Sequence, residues 1–236
     1  MKTRSRTSTW LTGLLLSVIS FQARAEGTHP VVLELFTSQG CSSCPPADRI
    51  LAGLADNPGV LALSYHIPYW NNLGWADPLS FDATTARQNG YAGAMGASNV
   101  YTPQLVVQGA KDVMGADERA VTSAVTDSAT EGLWVPVSVT VENGKLRILG
   151  AAKASIDAEL LLVGYLRHST NKVERGENAG TVAEHRNSVV SIQSLGKWNG
   201  SAMDRTEDLP QGDGYAVLVQ SAGYGPIIGG GWSGGK

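Results

Sequence analysis

The chain has 236 residues, of which 42% are hydrophobic and 17% charged, with 28 Gly, 10 Pro and only two Cys. A chain of this length forms one large domain or two small ones. The hydrophobic fraction is too high for a disordered protein, and two cysteines are too few for a scaffold held together by disulfides. Because no run of 18 apolar residues is present, the sequence also argues against a transmembrane anchor.

Residues 1–25 have the pattern of a secretory signal peptide. Three basic residues occur within residues 1–6, residues 10–21 are mostly apolar, and Ala23 and Ala25 give the small-x-small pattern of a cleavage site. The short apolar run argues against the alternative, an N-terminal membrane anchor. We therefore expect export to the periplasm or secretion, where the two cysteines can form a disulfide.

Cleavage after residue 25 would change the charge of the protein. The segment contains four basic residues and no acidic ones, so the remaining chain has 14 basic and 21 acidic residues and a formal charge of −7. A mildly acidic surface without clusters of Lys and Arg argues against nucleic acid and anionic membranes as partners.

Residues 26–131 show alternating strand and helix patterns. Residues 31–36 form a nearly continuous apolar run, which is typical of a strand buried on both faces. The next elements predict a β-α-β unit with a right-handed crossover. Strands are predicted at 31–36, 60–66 and 104–107, and helices at 48–55, 83–93 and 117–129.

Residues 132–236 have a different pattern. Valines alternate with other residues from 135 to 141, which is the period of a strand, and Asn143-Gly144 is a strong hairpin turn. This half therefore predicts a small antiparallel β-sandwich or a curled sheet, with the glycine-rich residues 225–236 as a loose tail. Its further strands are predicted at 146–149, 159–166, 188–195 and 215–220.

The two cysteines lie between the first predicted strand and the first predicted helix, in the sequence Cys41-Ser42-Ser43-Cys44. A Cys41 sulfur at the helix N-terminus would be favoured as a thiolate, and Cys44 could resolve a mixed disulfide. A metal site for Cu(I) or zinc is a second interpretation, since thiolates are soft ligands. A purely structural disulfide is the third, but so short a loop would stabilise the fold only weakly.

At these residues the chain resembles the thioredoxin-like superfamily and, more narrowly, the exported bacterial family DUF1223. The resemblance extends over nearly the whole chain after residue 25. Together with the strand pattern of the second half, it implies an α/β protein with a thioredoxin-like domain followed by a small antiparallel β-sandwich domain. The segments that carry it are LELFTSQGCSSCPPAD (33–48), YWNNLGWAD (69–77), RQ (87–88), YTPQ (101–104), RGENAG (175–180) and LGKWNG (195–200).

The superfamily resemblance implies two further functional positions. Members carry a cis-proline opposite the cysteine pair, and Thr102-Pro103 stands at the matching place, where an exposed backbone would pair with an extended substrate peptide. An ordinary trans proline at the start of a strand is the alternative. Glu34 matches a buried acid beneath the cysteine pair that would accept the proton of Cys44, or it is a hydrogen-bonded strand residue.

The loop after the second strand departs from the family pattern. Pro68 and Asn71 stand where the family has carboxylates, which argues further against a metal site. Tyr69, Trp70 and Trp75 form an aromatic cluster in the same region. This cluster predicts either an apolar groove for substrate near the cysteines or plain contacts within the core.

Residues 175–180 form the most polar segment of the second half. Glu177, His168 and His185 could be considered metal ligands, but their spacing matches no known site. We expect instead a hydrogen-bonded loop that packs against the first half.

These patterns favour an exported thiol–disulfide oxidoreductase whose partner is a thiol or disulfide protein. Cys41 and Cys44 would carry the exchange, Thr102 and Pro103 would bind substrate, and no metal or cofactor is expected. The alternative is a binding module without enzymatic activity, or a copper-handling protein with the two cysteines as ligands.

Overall fold

The computed structural model describes residues 28–153 and 155–233. In these ranges the protein is a mixed α/β structure with eleven strands and three α-helices, which confirms the α/β part of the predicted fold class. The predicted signal peptide, residues 1–25, lies outside the described residues. Within the two described ranges, no helix is long and apolar enough to cross a membrane.

The first half contains four strands and three helices, and every element predicted for residues 31–129 is present. The unpredicted elements are β4 and a short 3-10 helix (Pro68–Leu73) after β2. In chain order the elements are β1 (Val31–Thr37), α1 (Pro45–Leu54), β2 (Val60–His66), α2 (Asp82–Met95), β3 (Gln104–Val107), β4 (Lys111–Met114) and α3 (Glu118–Ser128).

The second half contains seven strands, several of them longer than predicted. They are β5 (Val135–Glu142), β6 (Lys145–Gly150), β7 (Ala158–Lys172), β8 (Val182–Trp198), β9 (Met203–Asp208), β10 (Gly214–Ser221) and β11 (Ile227–Trp232). Strands β7 and β8 form a long hairpin, and its tip carries residues 173–181.

Strand β11 corrects the prediction of a loose glycine-rich tail. Its residues pair with β10 on one side and with β5 on the other. The backbone at Gly229 and Gly231 approaches the carbonyl oxygens of Val135 and Val137 so closely that a Cβ atom would overlap them. The glycines that suggest flexibility in the sequence are therefore required by the close approach of two strands.

The eleven strands form one sheet in the order β4-β3-β1-β2-β8-β7-β10-β11-β5-β6-β9. Strands β1 and β2 are parallel, while β3 is antiparallel to β1 and β4 is antiparallel to β3. Strand β8 joins β2 in parallel through Ser64 and Ser188. The strands of the second half thus continue the sheet of the first.

Strand β1 is buried along its whole length and separates two parts of the core. Leu33 and Leu35 face the cluster that α1 and α3 cover. Val32 and Phe36 face the opposite side, where the cluster also takes in side chains of β7 and β10. This second cluster therefore has members from both halves of the chain. Burial of one large apolar side chain contributes roughly 1.5–3 kcal/mol, so the cluster stabilises the contact between the halves.

Candidate redox site

Cys41 and Cys44 form a disulfide in the turn between β1 and α1. The Cys41 amide donates to the Ser38 carbonyl at 3.1 Å, and the Cys44 amide donates to the Cys41 carbonyl at 3.2 Å. These two bonds hold the turn in a closed conformation.

The helix begins one residue after the second cysteine, so that Cys44, and not Cys41, lies at its N-terminus. Pro45 and Pro46 occupy the first turn, as the sequence predicts. Proline has no N–H group, but the N–H groups of a first helical turn have no acceptor within the helix, so the two prolines remove no helical hydrogen bond. The first such bond runs from the Asp48 amide to the Cys44 carbonyl, at 3.1 Å. This geometry corrects the prediction that placed Cys41 at the helix end.

The Cys41 sulfur is within hydrogen-bond reach of two hydroxyl groups. The Thr102 hydroxyl donates to it at 3.3 Å, and the Ser43 hydroxyl lies 3.4 Å away. Thr102 is itself held by the indole N–H of Trp70, which donates to its hydroxyl oxygen at 2.8 Å. The Thr102–Pro103 peptide bond is cis, as expected. Of the two predicted substrate-binding residues, Thr102 contacts the disulfide directly, and Pro103 follows it in the chain.

Neither cysteine has measurable exposure to solvent, since both are 0% exposed. Trp70 packs over the turn next to Gly40. On another side, the amide group of Asn178 donates to the carbonyls of Gln39 and Cys41 at 3.0 and 2.9 Å. The disulfide is therefore covered.

Asn178 belongs to the polar segment 175–180, which lies at the tip of the β7–β8 hairpin. The hydrogen bonds from Asn178 confirm the prediction that this segment packs against the first half of the chain. A further bond runs from the Gln39 side-chain amide to the Asn171 side-chain oxygen at 3.1 Å. The hairpin thus fixes the backbone on the N-terminal side of the cysteines.

The three aromatic residues of the cluster have different roles: some make contacts within the protein, and one presents surface to solvent. Trp70 and Trp75 both support the cysteine turn, because Trp75 donates to the Gln39 side-chain oxygen at 3.1 Å. Tyr69 is 38% exposed and lies on the same 3-10 helix as Trp70. The two indoles are therefore structural, while Tyr69 and Leu73 present apolar surface to solvent.

Asp48 carries a carboxyl group that is only 10% exposed and that no sequence pattern singled out. It lies one helical turn after Cys44, so that the two side chains occupy the same face of α1. Its carboxylate accepts a hydrogen bond from the Thr37 hydroxyl at 2.8 Å. Burial raises its pKa to about 6, in spite of the opposing effects of His66 and Thr37. The spacing of four residues from Cys44 is the signal that would have identified it.

Two histidines and a second carboxylate lie next to Asp48. His66 and Asp77 share a hydrogen bond of 2.7 Å, and the ring of His185 meets that of His66 edge to face, with 4.4 Å between the centroids. Burial, together with a smaller effect of His66, lowers the pKa of His185 to about 3. Burial acts to raise the pKa of Asp77, but His66 and the Gln39 amide outweigh it, and the pKa is lowered.

Glu34 has different neighbours from those its predicted role requires. Its carboxylate accepts hydrogen bonds from Arg87 at 2.6 and 2.9 Å and from the Tyr91 hydroxyl. It points to the side of β1 occupied by Val32 and Phe36, opposite the face that α1 covers. The geometry therefore offers Asp48, rather than Glu34, as the carboxyl group on the helix that carries Cys44.

The three residues considered as metal ligands are not brought together. His168 and Glu177 are exposed, whereas His185, on strand β8, is buried. Across residues 28–153 and 155–233, no group of three or more His, Cys, Asp or Glu side chains has a geometry that could hold a metal ion.

Comparisons with known proteins agree with this architecture. A family described as "Protein of unknown function (DUF1223)" matches residues 32–220. A crystal structure of a protein from Agrobacterium tumefaciens is 35% identical, with a TM-score of 0.78, and the match covers 88% of this chain and 95% of that one. HBP35 of Porphyromonas gingivalis is 14% identical, with a TM-score of 0.55 over 87% of this chain and 75% of its own, which is a likeness of fold alone. Among curated proteins, none matches the chain significantly.

Proposed function

This chain belongs to the DUF1223 family, and we propose that it is a thiol–disulfide oxidoreductase in which Cys41 exchanges with a partner and Cys44 resolves. The observation that carries the proposal is the Cys41–Cys44 disulfide at the start of α1, with the Thr102 hydroxyl 3.3 Å from the Cys41 sulfur. Two hydroxyl donors beside one sulfur favour a thiolate at that sulfur once the disulfide is reduced.

The proposal includes a thioredoxin-like arrangement of the first half, followed by a β-sandwich-like second half. Strand order β4-β3-β1-β2, with a parallel β1–β2 pair joined through α1, supports the first part. The position of Thr102-Pro103 immediately before β3 supports it further. The antiparallel hairpins β5–β6 and β7–β8 and the strand β10 support the second part.

The exchange with a partner that has two thiols takes two steps. One partner thiolate attacks the Cys41 sulfur, a mixed disulfide forms, and the Cys41–Cys44 bond breaks with its electron pair on the Cys44 sulfur. The second partner thiolate then attacks the partner sulfur of the mixed disulfide and releases Cys41 as a thiolate. The partner loses two electrons and becomes a disulfide, while Cys41 and Cys44 become thiols. The same steps in reverse oxidise this protein and reduce the partner.

Asp48 supplies the proton for this scheme. A carboxyl group with a pKa of about 6 is partly protonated near neutral pH, and can protonate the departing Cys44 sulfur or accept its proton in the reverse direction. Asp48 lies four residues after Cys44, where side chains on one helix face are neighbours, and we propose that the two groups meet once the disulfide opens.

Burial of both cysteines requires the site to open before a protein partner can react. The exposed apolar side chains of Tyr69 and Leu73 lie on the 3-10 helix that carries Trp70, the cover of the cysteine turn. We propose that an extended segment of the partner docks there, beside Thr102 and Pro103, and displaces that cover. We further propose that the exchange takes place in the periplasm or outside the cell, since disulfides persist in oxidising compartments.

A redox titration of the exported protein against glutathione tests the proposal. Thiol labelling of Cys41 and Cys44 monitors the titration, and we expect a reversible two-electron couple. The Cys44→Ser variant should accumulate mixed disulfides with partner proteins, whereas the double variant Cys41→Ser/Cys44→Ser, as the matched control, should accumulate none. A disulfide that stays oxidised in strong reductant, or a Cys44→Ser protein that traps nothing, would exclude the exchange.

A further inference from the structure

A cavity of about 320 Å³ lies beside the cysteine turn, between the first two turns of α1 and the start of β8. The hairpin tip that holds Asn178 closes it on one side. The polar lining of the cavity includes Gln39, Asp48, Asn178, Glu184 and His185. Neither cysteine lines it, so the cavity is separate from the sulfur atoms that would react.

The side-chain amides around the cavity already donate elsewhere. The amide nitrogen of Asn178 donates to two backbone carbonyls, and that of Gln39 donates to Asn171. The Asn178 side-chain oxygen and the carboxylates of Asp48 and Glu184 are hydrogen-bond acceptors. The one cationic side chain of the lining, Arg49, is exposed at the rim. The polar part of the cavity thus favours a ligand that donates hydrogen bonds and carries positive charge.

His185 gives a second, independent indication of a ligand. Its side chain is 3% exposed, and neither ring nitrogen has a hydrogen-bond partner among the described residues. Its Nδ1 atom lies 3.8 Å from the Asp48 carboxylate, which is too far for a direct hydrogen bond. A buried polar group without a partner is costly, and a bound donor at the base of the cavity would satisfy the acceptor nitrogen of the neutral ring and remove part of that cost.

The remaining wall of the cavity is apolar. Pro45, Val173, Val182 and Ala183 supply aliphatic surface between the exposed rim and the Asp48 carboxylate. Such a wall suits a chain of methylene groups whose charged end reaches a carboxylate, as in the side chains of Lys and Arg.

We propose that this cavity binds an alkylammonium or alkylguanidinium group, with the charged end at Asp48 and His185 and the methylene chain against the valines, while the Glu184 carboxylate adds negative charge at the rim. The cation comes either from a free aliphatic amine or from a Lys or Arg side chain of a partner protein. The proposal stands independently of the exchange reaction, because it requires no sulfur chemistry.

Isothermal titration of the oxidised exported protein with 1,5-diaminopentane and agmatine tests the proposal, with 1,5-pentanediol as the neutral probe. We expect both cations to bind and the diol not to bind. Asp48→Asn should weaken binding by about tenfold or more, since it removes the negative charge at the base of the cavity. Glu184→Gln, at an exposed position that does not endanger the fold, should weaken binding about two- to fivefold.

Glu174→Gln is the matched control, because Glu174 lies on the same hairpin but does not line the cavity. The affinity of this variant for the two cations should equal that of the wild type. Equal affinity for the diol, or unchanged affinity in both Asp48→Asn and Glu184→Gln, would overturn the proposal. The double variant Cys41→Ser/Cys44→Ser should still bind the cations even though it can carry out no exchange. That result separates a failure of this proposal from a failure of the proposed exchange.

A second binding experiment identifies the source of the cation. An extended peptide with one lysine is compared with the same peptide carrying norleucine and with free 1,5-diaminopentane. If the lysine peptide binds at least tenfold more tightly than the other two, the cavity receives a partner's side chain. If the free amine binds as tightly as the peptide, it receives a small molecule.

Discussion

Asp48 and His185 face each other across 3.8 Å, and burial changes their pKa values in opposite directions. The pKa of Asp48 is about 6 in the folded state against an ordinary value of 3.8, so its protonation stabilises the fold as the pH falls through 6. The pKa of His185 is about 3 against 6.5, so the unfolded chain gains its proton first, and stability is lost as the pH falls below 6.5. The charged or titratable groups around this pair are His66, Asp77, Arg49 and Glu184.

These opposed effects predict opposite responses in two variants. Between pH 7 and pH 5, we expect the free energy of unfolding of Asp48→Asn to fall by about 1 kcal/mol more than that of the wild type, because the stabilising protonation is lost. For His185→Phe we expect a fall about 2 kcal/mol smaller than that of the wild type. Urea denaturation at the two pH values measures both, with the exposed Asp204→Asn as the control that should follow the wild type. Identical pH responses of all four proteins would contradict the assignment.

At the scale of elements, the β7–β8 hairpin reaches across the chain to hold the cysteine turn. Asn178 contributes two hydrogen bonds to the backbone of that turn. Hydrogen bonds of this kind contribute about 1 kcal/mol each, and a difference of about 1.4 kcal/mol changes an equilibrium tenfold. We therefore expect these bonds to reduce how often the cysteine turn opens.

Removal of this contact should make the disulfide react faster. We expect Asn178→Ala to increase the rate of disulfide reduction by dithiothreitol about tenfold, because the turn opens more often. Stopped-flow thiol detection measures the rate. Glu177→Ala, at the neighbouring exposed position, should leave it unchanged. Equal rates in wild type and Asn178→Ala would show that something other than the hairpin covers the sulfurs.

Strand β11 is the element for which the local sequence is most misleading, because its glycines suggest a loose tail. A Cβ atom at residue 231 would overlap the Val137 carbonyl oxygen, whereas one at Gly53, near the C-terminal end of α1, would meet nothing within 4 Å. We expect Gly231→Ala to lower the free energy of unfolding by about 2 kcal/mol through overpacking, and Gly53→Ala to raise it by about 0.5–1 kcal/mol through helix propensity. Denaturation in urea measures both. Two variants of equal stability would contradict the close approach of β5 and β11.

At the scale of the whole molecule, the two halves share a core. The cluster around Phe36 and Tyr65 includes Val163 and Leu218 of the second half. Buried Arg87 strengthens the connection, since it donates to Glu34 of β1 and to Gln220 of β10. We expect one cooperative thermal transition, with a calorimetric enthalpy equal to the van't Hoff enthalpy. Two resolved transitions would mean that the halves unfold separately.

The sequence predicts the elements of the first half because their signals are local. A nearly continuous apolar run defines β1, and two prolines mark the start of α1. The partners of those elements are not local. The contact between Asn178 and Cys41 spans 137 positions, and the one between Asp48 and His185 joins a helix to a distant strand. Periodicity gives no information on such distances. The family resemblance places Thr102 near the cysteines, but no local signal shows that Asp48 and His185 lie together.

The position of β11 between β10 and β5 has a consequence for the order in which the molecule is made. Both neighbours precede β11 in the chain, so during synthesis their facing edges stay unpaired until residues 227–232 have left the ribosome. Unpaired edges of apolar strands are sites of aggregation. A chain that stops before residue 227 would therefore have every cysteine-turn residue in place but leave the facing edges of β10 and β5 unpaired. Surveillance of truncated products should matter more for this protein than for one whose last strand lies at the margin of its sheet.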